Sequence, residues 1–326
     1  MLSLSVEEQV FPLAEVFTIS RGSRTEAHVV VATLNDGTHT GCGECVPYAH
    51  YGESVDSVIA QIESMRDALA NGMDRLALQS RLPAGAARNA LDCAFWDLEA
   101  KTAGKPVWEL AGIDAPKAEI TAFTLSLDTP DVMREKARRH AARPLLKLKL
   151  GGEGDIERLE AVREGAPQAR IIVDANEGWD RAAYQRLAPA LMALGISMVE
   201  QPLPAGDDAP LAEVERPLPV CADESCHDRG SLPNLVGRYD MINIKLDKTG
   251  GLTEALALKQ EALAQGFGIM VGCMVGSSLS MAPALLVAQG AAVVDLDGPL
   301  LLARDRDHGM RFDVEGVHPA TPALWG

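Results

Sequence analysis

Charged residues recur at a nearly constant interval through the last two thirds of the chain, each at the end of a short apolar run. They are Lys149, Asp174, Glu200, Asp223, Lys245 and the pair Asp295 and Asp297, separated by 25, 26, 23 and 22 residues and then by 50, two units of 25. An interval of that size holds one strand and one helix, so each charge occupies the same place in its own βα unit. The runs that carry them are LLKLKL, ARIIVDA, ISMVEQ, LPVCADE, DMINIKL and AAVVDLD; EITAFTLSL and FGIMVG bring the strand candidates to eight. Most gaps hold one helix, as at 131–142, 156–164, 182–194 and 253–265. Eight short strands alternating with helices predict an α/β fold built on a parallel barrel. In a barrel the recurring charges all converge on the C-terminal mouth, where such enzymes carry their active sites. A doubly wound open sheet is the competing architecture, but no G-x-G-x-x-G follows an early strand to support it.

The first third is patterned differently and predicts a small α+β unit. AHVVVATL, Ala27 to Leu34, is a β-branched strand closed by the turn residues Asn35, Asp36 and Gly37. A helix is expected over Ser54 to Asn71, with a serine cap and Gly72 beyond its end, and a second over Ala86 to Ala103, stopped by Gly104 and Pro106.

Composition matters mainly for what it excludes. The net charge of −16 opposes nucleic acid and anionic membranes as partners, and an anionic substrate would need local cations. Cys42 and Cys45 form a C-x-x-C beside His39 and His50, yet there is no second such pair and no surrounding βαβ unit to support zinc or redox chemistry. MLSLSVEEQVF lacks the basic start and apolar core of a secretion signal. The uncharged stretch between Glu261 and Asp295 is broken by glycines and Pro283, so it reads as two strands and a helix rather than a membrane span. A cytoplasmic protein is expected.

The chemistry follows from the order of the charges: lysine, three carboxylates, lysine. Asp174, Glu200 and Asp223 on adjacent strands form an all-oxygen cluster suited to one hard divalent cation, Mg²⁺ above others. Lys149 and Lys245 flank that cluster, placing an amine on each face of a carbon held over the ion. Such a pair suits removal of a proton next to a carboxylate by one lysine and its return by the other, which inverts the carbon. Lys147 shares a strand face with Lys149 in LLKLKLGG. Taken alone, that pair fits a solvated edge strand; in register with the other strands it becomes part of the site. As a second cation, Lys147 neutralises charge on the substrate carboxylate and lowers the proton affinity of its neighbour.

The motifs LKLKLG, IIVDANEGW, VEQPL, ADES and INIKLDKTGG, with GCGECVPYAHYGES earlier in the chain, resemble the enolase superfamily, muconate-lactonizing-enzyme subgroup. Lys or His bases working with Mg²⁺ are characteristic of that superfamily, so the resemblance implies the same pairing independently of the spacing. The resemblance implies a modified (β/α)7β-like TIM barrel at 118–303 under an N-terminal α+β capping domain at 1–117, with a C-terminal segment, 304–326, completing the cap. It implies Mg²⁺ on Asp174, Glu200 and Asp223, and Lys149 and Lys245 as the acid/base pair. Asp295 and Asp297, in VVDLDGPLL, resemble the pair with which dipeptide epimerases hold a substrate's free ammonium group. The implied substrate is a dipeptide of the L-Ala-D/L-Glu type, derived from cell-wall peptide. Arg21 and Arg24, in FTISRGSRTEA, are the candidates for its side-chain carboxylate, with Tyr48 and Tyr51 closing over it. Alternatives are o-succinylbenzoate synthase and N-acylamino acid racemase, whose substrates have no free ammonium group. Outside the superfamily, a Schiff-base aldolase and a non-catalytic binding protein are the remaining readings.

Overall fold

The run AHVVVATL lacks polar alternation because the strand it forms is covered on both faces. Val30, Ala32 and Leu34 pack under helices of the N-terminal unit, while Val29 and Val31 join the main core. In the computed structural model, which describes residues 1–326, this strand is the centre of an antiparallel sheet: β1 (Ser3–Ile19), β2 (Gly22–Asn35) and β3 (Thr40–Cys45), in that order. β1 is not evident in the sequence, because Glu7, Glu8 and Pro12 interrupt its apolar pattern. Its pairing with β2 shifts register between Pro12 and Phe17. Cys42 and Cys45 lie three residues apart on β3, so their side chains leave opposite faces, and all six cysteines are free.

The helix expected over Ser54 to Asn71 is two helices, Val55–Glu63 and Arg66–Ala70. The break falls where Ser64 turns its hydroxyl back to Gln61 O at 2.7 Å and Arg66 reaches Leu4 O of β1 at 2.6 Å, drawing the second segment toward the sheet. The next long helix runs Ala86–Ala103 as expected, and β3 lies directly on it. A Cβ at Gly43 would stand 2.1 Å from Ala90 O, which is why the strand carries glycine there.

β4 (Phe123–Leu125), β5 (Leu145–Lys149), β6 (Arg170–Asp174), β7 (Ile196–Glu200), β8 (Val220–Ala222), β9 (Met241–Ile244), β10 (Gly268–Gly272) and β11 (Val293–Asp295) form one parallel sheet in chain order. The sheet curls until Ala122 N donates to Val294 O at 2.8 Å, nearly closing a barrel. Ala122, Leu145, Ile172, Met198, Cys221, Met241, Met270 and Val293, one from or beside each strand, fill its floor. Outer helices include Pro130–Arg139, Asp155–Gly165, Arg181–Ala193, Leu252–Ala264 and Ser278–Ala288. β11 is followed only by the short helix Gly298–Leu301, after which the chain crosses to the N-terminal sheet, with Ala303 N donating to Pro12 O at 2.8 Å. At the far end, Trp325 Nε1 donates to Cys93 O at 3.1 Å. No helix is long and apolar enough to cross a membrane.

Candidate active site

Parallel register does the placing. Lys149 pairs with Asp174 across β5 and β6, and Asp174 pairs with Glu200 across β6 and β7. Asp223 and Lys245 follow immediately after the ends of β8 and β9. The spacing seen in the sequence therefore becomes a ring of charge inside the mouth of the barrel. Lys147 lies one inward position below Lys149, deeper in the same ring.

The three acids are fully buried, and one oxygen of each lies within 4.8 Å of the others. Their remaining oxygens are tied off by the protein. Asp174 Oδ1 accepts from Asn176 N at 2.9 Å, Glu200 Oε1 from Asn243 Nδ2 at 2.7 Å, and Asp223 Oδ1 from Lys248 Nζ at 2.7 Å. The other oxygen of each acid is met by a lysine ammonium. Lys149 Nζ donates to Asp174 Oδ2 at 2.6 Å, and Lys245 Nζ to Asp223 Oδ2 at 2.6 Å. Glu200 Oε2 is 2.7 Å from Lys147 Nζ but has no aligned hydrogen-bond donor. Three buried carboxylates, each able to offer one oxygen within 4.8 Å of the others, fit a hard cation, so the donor set matches Mg²⁺.

The electrostatics carry the same message. Burial and Asp174 push the Glu200 carboxyl above the usual carboxylate range. Asp174 goes the other way: burial opposes its charge, but Lys149 and Lys147 outweigh burial and hold it low. Lys245 is buried as well, yet Asp223 and Glu200 outweigh the desolvation and keep it protonated. Without a cation in the cluster, the carboxylates thus raise the pKa of the very lysine that a base would need to be neutral. A cation among them would relieve that attraction.

The open side of the ring is a cavity of ≈ 80 Å³ bordered by Lys149, Lys245, Asp297, Arg24, Tyr51 and Met274, among others. Asp295 and Asp297 stand together at its edge, both buried. Asp295 Oδ2 accepts from Lys147 Nζ at 2.7 Å, and Asp297 Oδ2 from Thr124 N at 2.6 Å. Asp295 Oδ1 has no partner, and burial together with Asp295 pushes the Asp297 carboxyl upward. Two buried acids with too few donors leave acceptor capacity that a cation can meet.

The two arginines are not equivalent. Arg21, in the tight turn between β1 and β2, donates to Glu224 Oε1 at 2.7 Å, Tyr48 Oη at 2.9 Å, and Asn176 O and Glu177 Oε2, both at 3.1 Å. Both terminal nitrogens of its guanidinium are engaged, each in two hydrogen bonds. Arg24, on β2, borders the same cavity with its guanidinium 5.4 Å from the centre of the Tyr48 ring. Several residues that shape the site escape a reading of the sequence. Lys248 falls inside INIKLDKTGG, off the βα period, yet it is 1 % exposed and donates to Asp223 O and Asn243 O as well as to Asp223 Oδ1. Asn243 shares the inward face with Lys245, two residues on, which is a readable signal. Thr124 and Glu177 carry none.

Residues 1–112 match the model of the mandelate racemase / muconate lactonizing enzyme N-terminal domain, and residues 132–315 match the enolase C-terminal domain-like model. The chain is 49% identical to the L-Ala-D/L-Glu epimerase of Escherichia coli K12, over 98% of this chain and 100% of that one. It is 46% identical to the N-acetyl-D-glutamate racemase of a Pseudoalteromonas species, over 91% and 95%. A solved enolase family member from Agrobacterium tumefaciens, with homology to dipeptide epimerases and holding sodium and L-Ala-L-Glu, superposes with a TM-score of 0.98 at 55% identity, over 100% of both chains. Solved dipeptide epimerases that carry Mg and a dipeptide superpose at TM-scores of 0.90 to 0.91 and 26 to 31% identity. Barrel, capping sheet and matched models agree: the chain belongs to the enolase superfamily, in its mandelate racemase / muconate lactonizing enzyme group.

Proposed function

We propose that this chain is a Mg²⁺-dependent dipeptide epimerase of the cytoplasm, inverting the α-carbon of the C-terminal residue, with L-Ala-D/L-Glu as its substrate pair. The observation that carries this reading is the placement of Asp295 and Asp297 beside a ring in which Lys149 and Lys245 flank three acids. Asp174, Glu200 and Asp223 would hold the ion, which when bound supplies positive charge to the substrate carboxylate.

This chain's side chains account for the rest. Asp295 and Asp297 hold the ammonium group and so fix which end of the peptide points inward. Lys147 Nζ, buried between Asp174, Glu200 and Asp295, keeps a fixed positive charge at the depth of the carboxylate. Lys149 Nζ removes the α-proton from one face, and Lys245 Nζ delivers one to the other. Run in reverse, the lysines exchange roles. Arg24 is the guanidinium available to a substrate side-chain carboxylate, whereas Arg21 holds the hairpin against the barrel. Tyr48 and Tyr51 pack edge to face, ring centres 5.2 Å apart, and exclude water above them.

The identity to an N-acetyl-D-glutamate racemase supports a second reading, an N-acylamino acid racemase. The acids at 295 and 297 separate the two, because an acylated nitrogen carries no charge for them to meet. Incubation in D₂O with Mg²⁺ should place deuterium at the glutamate α-carbon of L-Ala-L-Glu far faster than in N-acetyl-L-glutamate. The reverse order would sink the epimerase reading. Lys149→Ala and Lys245→Ala should each stop epimerisation while leaving exchange with only one antipode; exchange of both by either variant would refute the two-lysine assignment.

A further inference from the structure

β1 does not run straight beside β2. Pro12 pairs with Glu26 and the next pair is Phe17 with Arg24, so Leu13, Ala14, Glu15 and Val16 stand opposite Thr25 alone. A bulge of this kind bends a strand away from its partner and is common beside active sites. Here it arches over the flank of the barrel that has no long helix after β11. Beneath it lies a second cavity, of ≈ 250 Å³, bordered by Val16, Phe123, His140, Arg143 and Leu300. Phe17, Thr124 and Leu301 border both this cavity and the site above. Thr124 is also the residue whose N–H holds Asp297.

The cations around this cavity differ in one respect. Lys136 lies 3.3 Å from Glu15 and 3.8 Å from Asp128, and Arg139 lies 3.2 Å from Glu135. Arg143 makes no ion pair; its one side-chain hydrogen bond is to His140 Nδ1, at 3.4 Å. Its guanidinium lies 4.4 Å from the centre of the Phe123 ring, and the His140 ring stacks on that same ring at 4.0 Å. Burial pulls the Arg143 pKa down, and Asp297 opposes that pull from across the shared wall. Burial and Arg143 likewise lower the His140 pKa, so the imidazole adds no second charge at neutral pH. A planar cation held between ring and cavity, without a carboxylate, is prepared for one.

We propose that this cavity receives the side chain of the peptide's N-terminal residue and that Arg143 favours an acidic one, so that dipeptides beginning with glutamate or aspartate are substrates. The proposal rests on the reading that Asp295 and Asp297 hold the ammonium group. That group and the first side chain leave the same α-carbon, so a substrate anchored on Asp297 directs its side chain toward the wall of Phe17, Thr124 and Leu301. Alanine's methyl offers Arg143 nothing to pair with, whereas a glutamate side chain extends two carbons further and carries the matching charge.

The test is the ratio of kcat/KM for L-Glu-L-Glu to that for L-Ala-L-Glu, each followed by α-deuteration. Arg143→Met should lower this ratio about tenfold, through KM, as expected for loss of a charge-assisted pair. Arg143→Lys should restore part of it. Arg143→Glu should shift preference toward L-Lys-L-Glu, a gain that mere structural damage cannot produce. A ratio unchanged in all three variants overturns the proposal, as does a parallel fall for every dipeptide. Turnover of L-Ala-L-Glu with none of L-Glu-L-Glu overturns it while leaving the proposed function standing. Absence of turnover with any dipeptide overturns both.

Discussion

Asp247 sits at the junction of the N-terminal unit and the barrel, two residues beyond Lys245, and is buried without a cation. Its Oδ1 accepts from Val46 N at 3.0 Å and Asn89 Nδ2 at 2.8 Å. Burial is the main force on its carboxyl; Glu53 and Glu44 add to it, the two donors oppose it, and the pKa rises from 3.8 to about 7. A raised folded-state pKa means that the folded protein binds a proton which the unfolded chain has already released. The associated stability is fully present below about pH 4 and is lost as pH rises through 7. At about 1.4 kcal/mol per pKa unit, the ionised form costs up to about 4 kcal/mol. Asp247→Asn keeps the accepting oxygen and removes the charge. Urea unfolding from pH 4 to pH 8, in constant EDTA, should show the variant level with the parent at pH 4 and about 2 to 4 kcal/mol more stable at pH 8. A difference that stays flat with pH, or a variant less stable at pH 8, would refute the account of Asp247 as an unpaired buried acid.

Removing divalent cations with EDTA should abolish α-proton exchange and lower the melting temperature, and Mg²⁺ at a hundredfold excess over its dissociation constant should restore about 2.7 kcal/mol. Exchange that survives chelation would mean that the three acids do not serve an ion. Gly43→Ala forces a methyl against Ala90 O, where 2.1 Å is available, so the sheet must lift off its helix; a loss of about 1 to 3 kcal/mol is expected, read as a lower melting temperature. An unchanged melt would show that β3 has room to move.

The barrel is legible in the sequence because parallel strands in register convert an interval into a position. Lys149, Asp174 and Glu200 need only the βα period to be brought together. The arrangement above them is not legible. β1 is polar on much of its length, and its hairpin with β2 sets Arg21 against Asn176, Glu177 and Glu224, contacts that span 155, 156 and 203 residues. Local pattern has no access to such separations. The break at Ser64 escapes for a related reason: the apolar rhythm continues through it, and the cause is a bond from Arg66 to a strand 62 residues earlier. Nor does the pairing of Arg21 with Tyr48 and Glu224 show in composition, which is why the two arginines look interchangeable until the fold shows one of them occupied.

The tied-off oxygens of the acidic cluster bear on ion choice. Asn176 N, Asn243 and Lys248 each claim one oxygen of Asp174, Glu200 and Asp223. None of the three carboxylates is therefore free to clamp an ion with both of its oxygens. Calcium gathers six to eight oxygens and commonly takes a carboxylate bidentately, whereas magnesium accepts single oxygens in a tight octahedron and retains water. The oxygens withheld in this way leave the cluster suited to an ion that takes one oxygen from each acid.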